Sequence, residues 1–307
     1  MTNKTRNNRP GADYHAGFIA ICGPPNAGKS TLLNRLTGEK ISITSDKPQT
    51  TRNRILGIVN REKSQLVFID TPGIFKAEGK LNTRIVNTAI SALADVDVVL
   101  MMIDISGRPR LNDARLIVGR LDTIKKPVVL ALNKIDLIKK PEILAHIDQW
   151  RTVYPFEHII PISAKNGEQA DGLVRVLEPL LPAGTPLFPE DMVTDMPERF
   201  IAAEMIREKI FRLTNQEIPY ATAVSIDSFK EKNNGALIHI QATIHVEKSS
   251  QKGIIIGKQG QRLKEIGEKS RLDIQRMTGA KVYLELFVRI QEKWRSSDAS
   301  LTEFGYL

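Results

Sequence analysis

The sequence predicts two domains in one chain: an α/β domain on a mostly parallel sheet, then a smaller α+β domain. Three observations predict it. Apolar, strand-like runs alternate with helical stretches as far as residue 185. A cluster of Pro182, Gly184, Pro186, Pro189 and Pro197 then interrupts the periodicity. Beyond it the order restarts as helix, strand, strand, helix, helix, strand. A length of 307 residues fits two units of about 150. The expected boundaries are a disordered tail over 1–14, a first domain over 15–185, a linker over 186–197, and a second domain with its tail over 198–307.

Composition narrows the setting. Hydrophobic residues at 41% and charged residues at 26% suit a buried core under a solvated surface. No apolar run approaches the roughly 18 residues of a membrane span, and no apolar segment follows the N-terminus as a signal peptide would. The expected location is the cytoplasm. The single cysteine, Cys22, cannot form an internal disulfide and is expected in the core. A formal charge of +9 points toward a polyanionic partner, although charge alone names none.

Residues 17–22 form an apolar, β-leaning run that feeds Gly23-Pro24-Pro25-Asn26-Ala27-Gly28-Lys29-Ser30, the pattern G-x-x-x-x-G-K-[ST]. A helix opens at Thr31, with Leu32, Leu33 and Leu36 on one face and Gly38 placed to stop it. In such a loop the backbone N–H groups turn inward around phosphate oxygens, and the helix N-terminus adds its positive dipole end. Lys29 is expected on the β and γ phosphates and Ser30 on Mg2+.

Residues 41–53 carry Pro48 and a polar run, and read as a loop. Strands are expected over 54–60 and 65–70, the second ending at Asp70-Thr71-Pro72-Gly73. Asp70, at a strand's carboxyl end, is placed to hold a Mg2+ water, and the Gly73 N–H to meet a γ phosphate. Alone, Asp-x-x-Gly is a common turn; about forty residues after a phosphate loop it carries weight. A buried strand over 96–103, a helix over 111–124 and a strand over 127–132 follow. The last delivers Asn133-Lys134-Ile135-Asp136.

That tetrapeptide selects the base. A carboxylate at Asp136 accepts from the N1–H and exocyclic amine of guanine, whereas adenine lacks both donors in that arrangement. The expected nucleotide is GTP or GDP. Lys134 can lay its stem on the base, and Asn133 can tie its loop to the phosphate loop. A strand over 158–162 leads to Ser163-Ala164-Lys165, whose backbone is expected to donate to the guanine O6.

Taken in order, these stations resemble the translation-factor class of P-loop GTPases across residues 15–185. The resemblance implies a Ras-like, doubly wound sheet with the nucleotide at the strands' carboxyl ends. It also implies that a switch-loop threonine completes the Mg2+ shell. Thr50 and Thr51 are the candidates, and Thr51 is favoured because it precedes Arg52. The catalytic set expected is Lys29, Thr51, Gly73 and Asn26. One position departs from the commoner small GTPases: Ile74 stands where those carry a water-orienting glutamine. In a related group with hydrophobic residues there, a P-loop asparagine helps bind potassium, and Asn26 occupies the corresponding place. K+ is therefore carried as an additional cofactor, beside the plain reading that Asn26 only braces the loop.

The second domain opens with a helix over 198–213, its stripe formed by Phe200, Ile201, Met205, Ile206 and Ile210. Strands are expected over 220–229 and 237–246. In the latter, Ile238, Ile240, Ala242, Ile244 and Val246 face the core, which puts His239 and His245 on the polar face as solvated residues. Lys252-Gly253-Ile254-Ile255-Ile256-Gly257-Lys258-Gln259-Gly260 precedes a long helical stretch to Met277 and a strand over 281–290. This order, with its Gly-x-x-Gly loop, resembles a type II KH domain, whose loop clamps the backbone of about four nucleotides. Nine basic residues against three acidic ones between positions 248 and 281 support it, a net +6. The expected RNA contacts are Lys252, Gly253, Ile256, Gly257, Lys258, Gln259, Gly260 and Arg262, with the isoleucines as an apolar floor.

A GTPase domain joined by a short linker to a C-terminal type II KH domain closely resembles the Era family of GTPases. The ending, through Trp294-Arg295, Leu301 and Gly305-Tyr306, is similar as well. The resemblance implies a monomeric bacterial ribosome-assembly factor that cycles between GTP and GDP. It binds 16S ribosomal RNA near its 3′ end on the small (30S) subunit, and the likeness admits a peripheral association with the inner membrane. A non-enzymatic RNA binder with structural GTP, and a signalling GTPase whose second domain binds protein, rank below this reading.

Overall fold

A computed structural model describes residues 14–107 and 111–306, so the tail expected over 1–14 lies, Tyr14 apart, outside the described residues. The first domain contains β1 (His15–Cys22), α1 (Lys29–Thr37), β2 (Ile55–Asn60), β3 (Ser64–Asp70), α2 (Lys80–Ser91) and β4 (Val98–Asp104). It continues with α3 (Leu111–Ile124), β5 (Val128–Asn133), α4 (Lys140–Arg151), β6 (His158–Ile162) and α5 (Ala170–Leu177). The sheet order is β2-β3-β1-β4-β5-β6, with only β2 antiparallel to its neighbour.

Because strand side chains alternate between faces, β1 feeds both layers of the core. Ile19 and Ile21 pack with Leu32, Leu33, Leu173 and Leu177 on the α1/α5 side. Ala20 and Cys22 pack with Ala89, Leu93, Ile117 and Trp150 on the other. Burial pushes the Cys22 thiol up to about 12, with Lys29 and a backbone hydrogen bond pulling against it, so the cysteine is an inert core residue. Parallel register carries β1, β3, β4, β5 and β6 to one edge, with Ile21 opposite Asp70, Asp104 opposite Asn133 and Asn133 opposite Ile162. The loops that leave those ends therefore converge.

The second domain is α6 (Glu198–Leu213), β7 (Ala223–Lys232), β8 (Leu237–Val246), α7 (Ser249–Ile256), α8 (Gln261–Thr278) and β9 (Lys281–Ile290), then a short tail helix α9 (Asp298–Glu303). β7 and β8 are antiparallel with a bulge at Asp227, while β8 and β9 run parallel and need the α7–α8 crossover between them. Ile238, Ile240, Ala242, Ile244 and Val246 are buried under the helices, as the alternation requires.

One expectation is corrected here. His245 is not solvated: it is 4% exposed, its ring lies 4.5 Å from that of Phe304, and Nε2 is 2.9 Å from Ser225 Oγ. The tail folds back over that end of the sheet, and burial pushes the imidazole below its ordinary value. His239 stays half-buried and pairs with Glu285 at 3.0 Å. The linker segment lies against the first domain. Ile58 N–H donates to Val193 O at 2.8 Å, and the Gln65 side chain accepts from the backbone of Leu187 and Phe188 at 2.7 and 2.9 Å. It covers the edge of β2, where unpaired backbone groups would otherwise be open.

The domains meet through α6. Lys40 reaches Glu208 at 2.6 Å and Asp273 at 2.7 Å, and Lys209 joins the same two carboxylates. Burial pushes Glu208 and Asp273 up, but hydrogen bonds from Lys209 and Lys40 prevail and hold both carboxyls below their ordinary range.

Candidate functional site

The phosphate loop lies at the sheet's carboxyl edge between β1 and α1. Asn26 and Gly28 adopt positive φ, 65° and 98°. A Cβ on Gly28 would fall 2.2 Å from Asn133 Nδ2, so only glycine lets the loop approach its neighbour this closely. The Lys29 ammonium donates to Gly23 O and Pro24 O at 3.1 and 3.0 Å. Burial lowers the Lys29 pKa, against the charge of Asp70.

Three hydroxyls and one carboxylate gather beside it. Ser30 Oγ donates to Asp70 Oδ2 at 2.6 Å and lies 2.8 Å from Thr51 Oγ1, and Ser42 Oγ donates to the same carboxylate oxygen at 2.9 Å. Thr50 turns away and donates to Lys47 O at 2.8 Å. Of the two candidate threonines, the structure therefore brings only Thr51 to Ser30. Asp70 Oδ1 is buried without a hydrogen-bond partner. Burial pushes this carboxyl up, opposed by Lys29 and the two serine hydroxyls. An orphaned carboxylate oxygen beside hydroxyls is a hard, all-oxygen donor set, which fits Mg2+. Thr71 Oγ1 donates to Ile21 O at 2.8 Å, which pins the segment through Pro72 to Gly73. A Cβ on Gly73 would fall 2.8 Å from Pro25 N, so this turn abuts the phosphate loop. Ile74 is buried among Ala20, Cys22 and Ala89. It is a core residue, and a glutamine there would bury its amide.

At the other end, Asn133 Nδ2 donates to Ala27 O at 2.7 Å, and Asn133 Oδ1 accepts from Ala164 N–H at 2.9 Å. One side chain thus ties three loops together. Ala164 N–H, expected to serve the guanine O6, is engaged by this bond, and Lys165 supplies the next backbone N–H in the loop. Ser163 Oγ donates to Asp136 Oδ1 at 2.6 Å and fixes the carboxylate's orientation. Lys134 pairs with Asp104 at 2.5 Å, an acid the sequence did not single out. Burial raises Asp104, but hydrogen bonds from Lys134 and Ser106 hold it below its ordinary range. A cavity of about 800 Å3 runs from Lys29, Thr31 and Thr51 to Asp136 and Lys165. That size suits a nucleotide.

In the second domain α7 ends at Gly257, and Gly257, Gln259 and Gly260 all take positive φ, 72°, 50° and 77°. Lys258 and Gln259 project exposed from the tip, Gly253 is exposed, and Lys252 and Ile256 are half-buried beside it. Two calls change. Arg262 Nη1 donates to Ile254 O at 2.7 Å, so its guanidinium caps α7 as well as facing outward. Ile255 is buried in the core, which leaves Ile254 and Ile256 as apolar floor. Gly267 on α8 lies over Leu286 of β9, whose Cδ1 would be 3.5 Å from a Cβ there.

A phosphate loop and an acidic base selector lining one cavity place the first domain among the P-loop GTPases, and the element order of the second is that of a type II KH domain. Family models agree: one described as "50S ribosome-binding GTPase" matches residues 18–134, and one described as "KH domain" matches residues 217–295. The chain is 51% identical over 293 residues to GTPase Era of Geotalea uraniireducens, covering 95% of this chain and 98% of that one. It is 52% identical over the same length, with the same coverage, to GTPase Era of Geobacter metallireducens. Among solved structures, it is similar to an Aquifex aeolicus Era variant bound to GDP.AlF4-, with a TM-score of 0.91, 42% identity, and coverage of 95% and 99%. It is equally similar to Era in complex with MgGDPNP and nucleotides 1506–1542 of 16S ribosomal RNA, with a TM-score of 0.92 at the same identity and coverage. The chain belongs to the Era family of GTPases, enzymes that hydrolyse GTP.

Proposed function

We propose that this chain is a GTP-driven switch that binds 16S ribosomal RNA near its 3′ end through its KH domain and assists assembly of the small (30S) subunit. What carries the reading is the fit of both domains together to an Era structure that holds MgGDPNP and that RNA segment. The backbone N–H groups from Asn26 to Ser30 and the start of α1 receive the phosphates, and Lys29 meets the β and γ oxygens. Ser30, Thr51 and Asp70 would hold Mg2+. When bound, the ion neutralises charge between the β and γ phosphates. Gly73 N–H meets the γ phosphate, Asp136 reads the guanine, and Lys252, Lys258 and Arg262 face the RNA. No helix among the described residues is long and apolar enough to cross a membrane. The reading places a monomer in the cytoplasm, with any membrane contact peripheral. Crosslinking in cells and sequencing the bound fragments tests it: reads should concentrate at the 3′ end of 16S RNA, and an even spread over all RNA would overturn it.

Hydrolysis needs a group that does what a glutamine does elsewhere, because Ile74 is committed to the core. Asn26 Nδ2 donates to Asp46 O at 2.6 Å, so a phosphate-loop amide and a switch-loop carbonyl converge beside the cradle. Asn26 Oδ1 and that carbonyl are oxygen donors of the kind K+ takes. A fixed cation there would stabilise charge developing on the phosphates. Turnover is expected to rise about tenfold in K+ over Na+ at equal ionic strength, and the difference to vanish in Asn26→Ala. Equal rates in both salts, with and without RNA, would leave Asn26 as a brace.

A further inference from the structure

Arg52 follows the threonine that meets Ser30, yet none of its hydrogen-bond partners lies in its own domain. Its side chain is buried, 3% exposed. Nη1 donates to Thr222 O at 2.8 Å and to Tyr306 Oη at 3.0 Å; Nη2 donates to Pro219 O at 3.2 Å and Tyr220 O at 3.0 Å. The rings of Trp294 and Tyr306 flank the guanidinium at 5.9 and 5.6 Å. Trp294 is itself fixed by donation from Nε1 to Ala221 O at 3.0 Å.

Among the described residues, Arg52 has hydrogen-bond partners but no carboxylate within ion-pair distance. A guanidinium taken out of water is costly unless its donors are satisfied, so four oxygen acceptors and two aromatic faces amount to a shaped socket. The socket is made wholly of the stretch between α6 and β7 and of the C-terminal tail. On the other side of Thr51, Arg207 of α6 donates to Thr50 O at 2.5 Å and is held in turn by Glu204. The backbone before Thr51 and the side chain after it are thus both gripped by the second domain. Thr51 Oγ1 itself lies 2.8 Å from Ser30 Oγ, which donates to Asp70 Oδ2.

We propose that Arg52 is a positioning residue for the metal set: seated in the socket of the second domain and tail, it holds Thr51 against Ser30. The triphosphate form of the site is then complete only when the domains are docked, and the C-terminal Tyr306 becomes a structural part of the GTPase machinery. The proposal rests on the reading of Ser30, Thr51 and Asp70 as Mg2+ ligands.

The test uses the full chain and measures retention of a fluorescent GDPNP and of a fluorescent GDP while Mg2+ is titrated. Arg52→Ala is expected to raise the Mg2+ needed for half-maximal GDPNP retention about tenfold or more and to lower kcat in parallel, with little change for GDP. The asymmetry arises because a switch-loop threonine serves the metal beside a γ phosphate. Tyr306→Phe, which keeps the ring and removes one acceptor, should shift the same titration in the same direction by a smaller factor. It also stands in should Arg52→Ala fold poorly. Ser30→Ala should weaken Mg2+ dependence for both nucleotides. If Ser30→Ala has no effect, the metal reading itself fails. If Ser30→Ala acts while neither Arg52→Ala nor Tyr306→Phe moves the GDPNP titration, or if GDP and GDPNP shift alike, Arg52 only staples the domains and the proposal is overturned.

Discussion

Asp136→Asn is expected to reverse the base preference of the site, weakening GTP by about 10²- to 10⁴-fold and letting the xanthine nucleotide bind instead. The range follows from two charge-assisted hydrogen bonds at about 1.5–3 kcal/mol each. Guanine presents two donors, N1–H and the exocyclic amine, to a carboxylate that only accepts. An amide offers one acceptor and one donor, so its N–H2 group opposes the guanine amine and suits the carbonyl that xanthine carries there. The protein around the carboxylate stays in place: Ser163 Oγ, 2.6 Å from Asp136 Oδ1, can bond an amide oxygen equally well. Asn133 still bridges Ala27 O and Ala164 N–H. Competition of GTP, XTP and ATP for the fluorescent nucleotide, in the wild type and the variant, measures the switch. A variant that still prefers GTP, or a wild type displaced equally by ATP, would remove Asp136 from the role of base selector.

The parts of this molecule written in contiguous residues were legible without the fold. Residues 17–36 give strand, loop and helix in one run because a phosphate cradle must be built from consecutive N–H groups. The strand ending at Asp70 and the one ending at Asn133 were found within a residue or two because buried parallel strands are continuous apolar runs. Helices α2, α4 and α5 were not placed individually, only implied by the general alternation; in α4 Trp150 alone is fully buried, so little apolar stripe marks it. What stayed hidden depends on distant partners. Asp104 sits thirty positions from the Lys134 it pairs with, and nothing local marks it. Thr50 and Thr51 are chemically identical in the sequence, and only the turn that sends one to Lys47 and the other to Ser30 separates them. His245 was assigned to water by a correct alternation, then covered by Phe304 nearly sixty residues later.

That same dependence on distant partners shapes how the two domains act together. The switch loop from Lys40 to Arg52 contacts α6 and the segment beyond it at Lys40, Thr44, Lys47, Thr50 and Arg52. A loop that both serves the metal set and carries so many contacts to the KH domain cannot rearrange without disturbing the docking. Coupling of this kind is a differential contact energy between two arrangements, and it acts in both directions.

Replacing Lys258 and Gln259 together by Asp is expected to weaken binding of single-stranded RNA about 10²-fold while leaving GTP hydrolysis without RNA unchanged. Both side chains stand exposed at the tip between Gly257 and Gly260, where the backbone's positive φ values open the loop to a sugar–phosphate strand. Lys258→Asp reverses a charge and Gln259→Asp adds one, so each approaching phosphate meets repulsion where it met a cation or a donor. Folding should survive, because Gln259 has φ 50° and Asp is among the residues that tolerate this region. Neither position lines the nucleotide cavity, which is why basal turnover serves as the internal control. The salt dependence carries the sharper signature. Each lost phosphate contact should flatten the slope of log K against log salt by about 0.7 on a single strand. Titrating a 16S 3′-end fragment at several salt concentrations measures both affinity and slope. Unchanged affinity would place the RNA elsewhere on the domain. A fall in affinity with the slope intact would mean that the substitution disturbed the apolar surface of Ile254 and Ile256 and that the phosphate contact had remained.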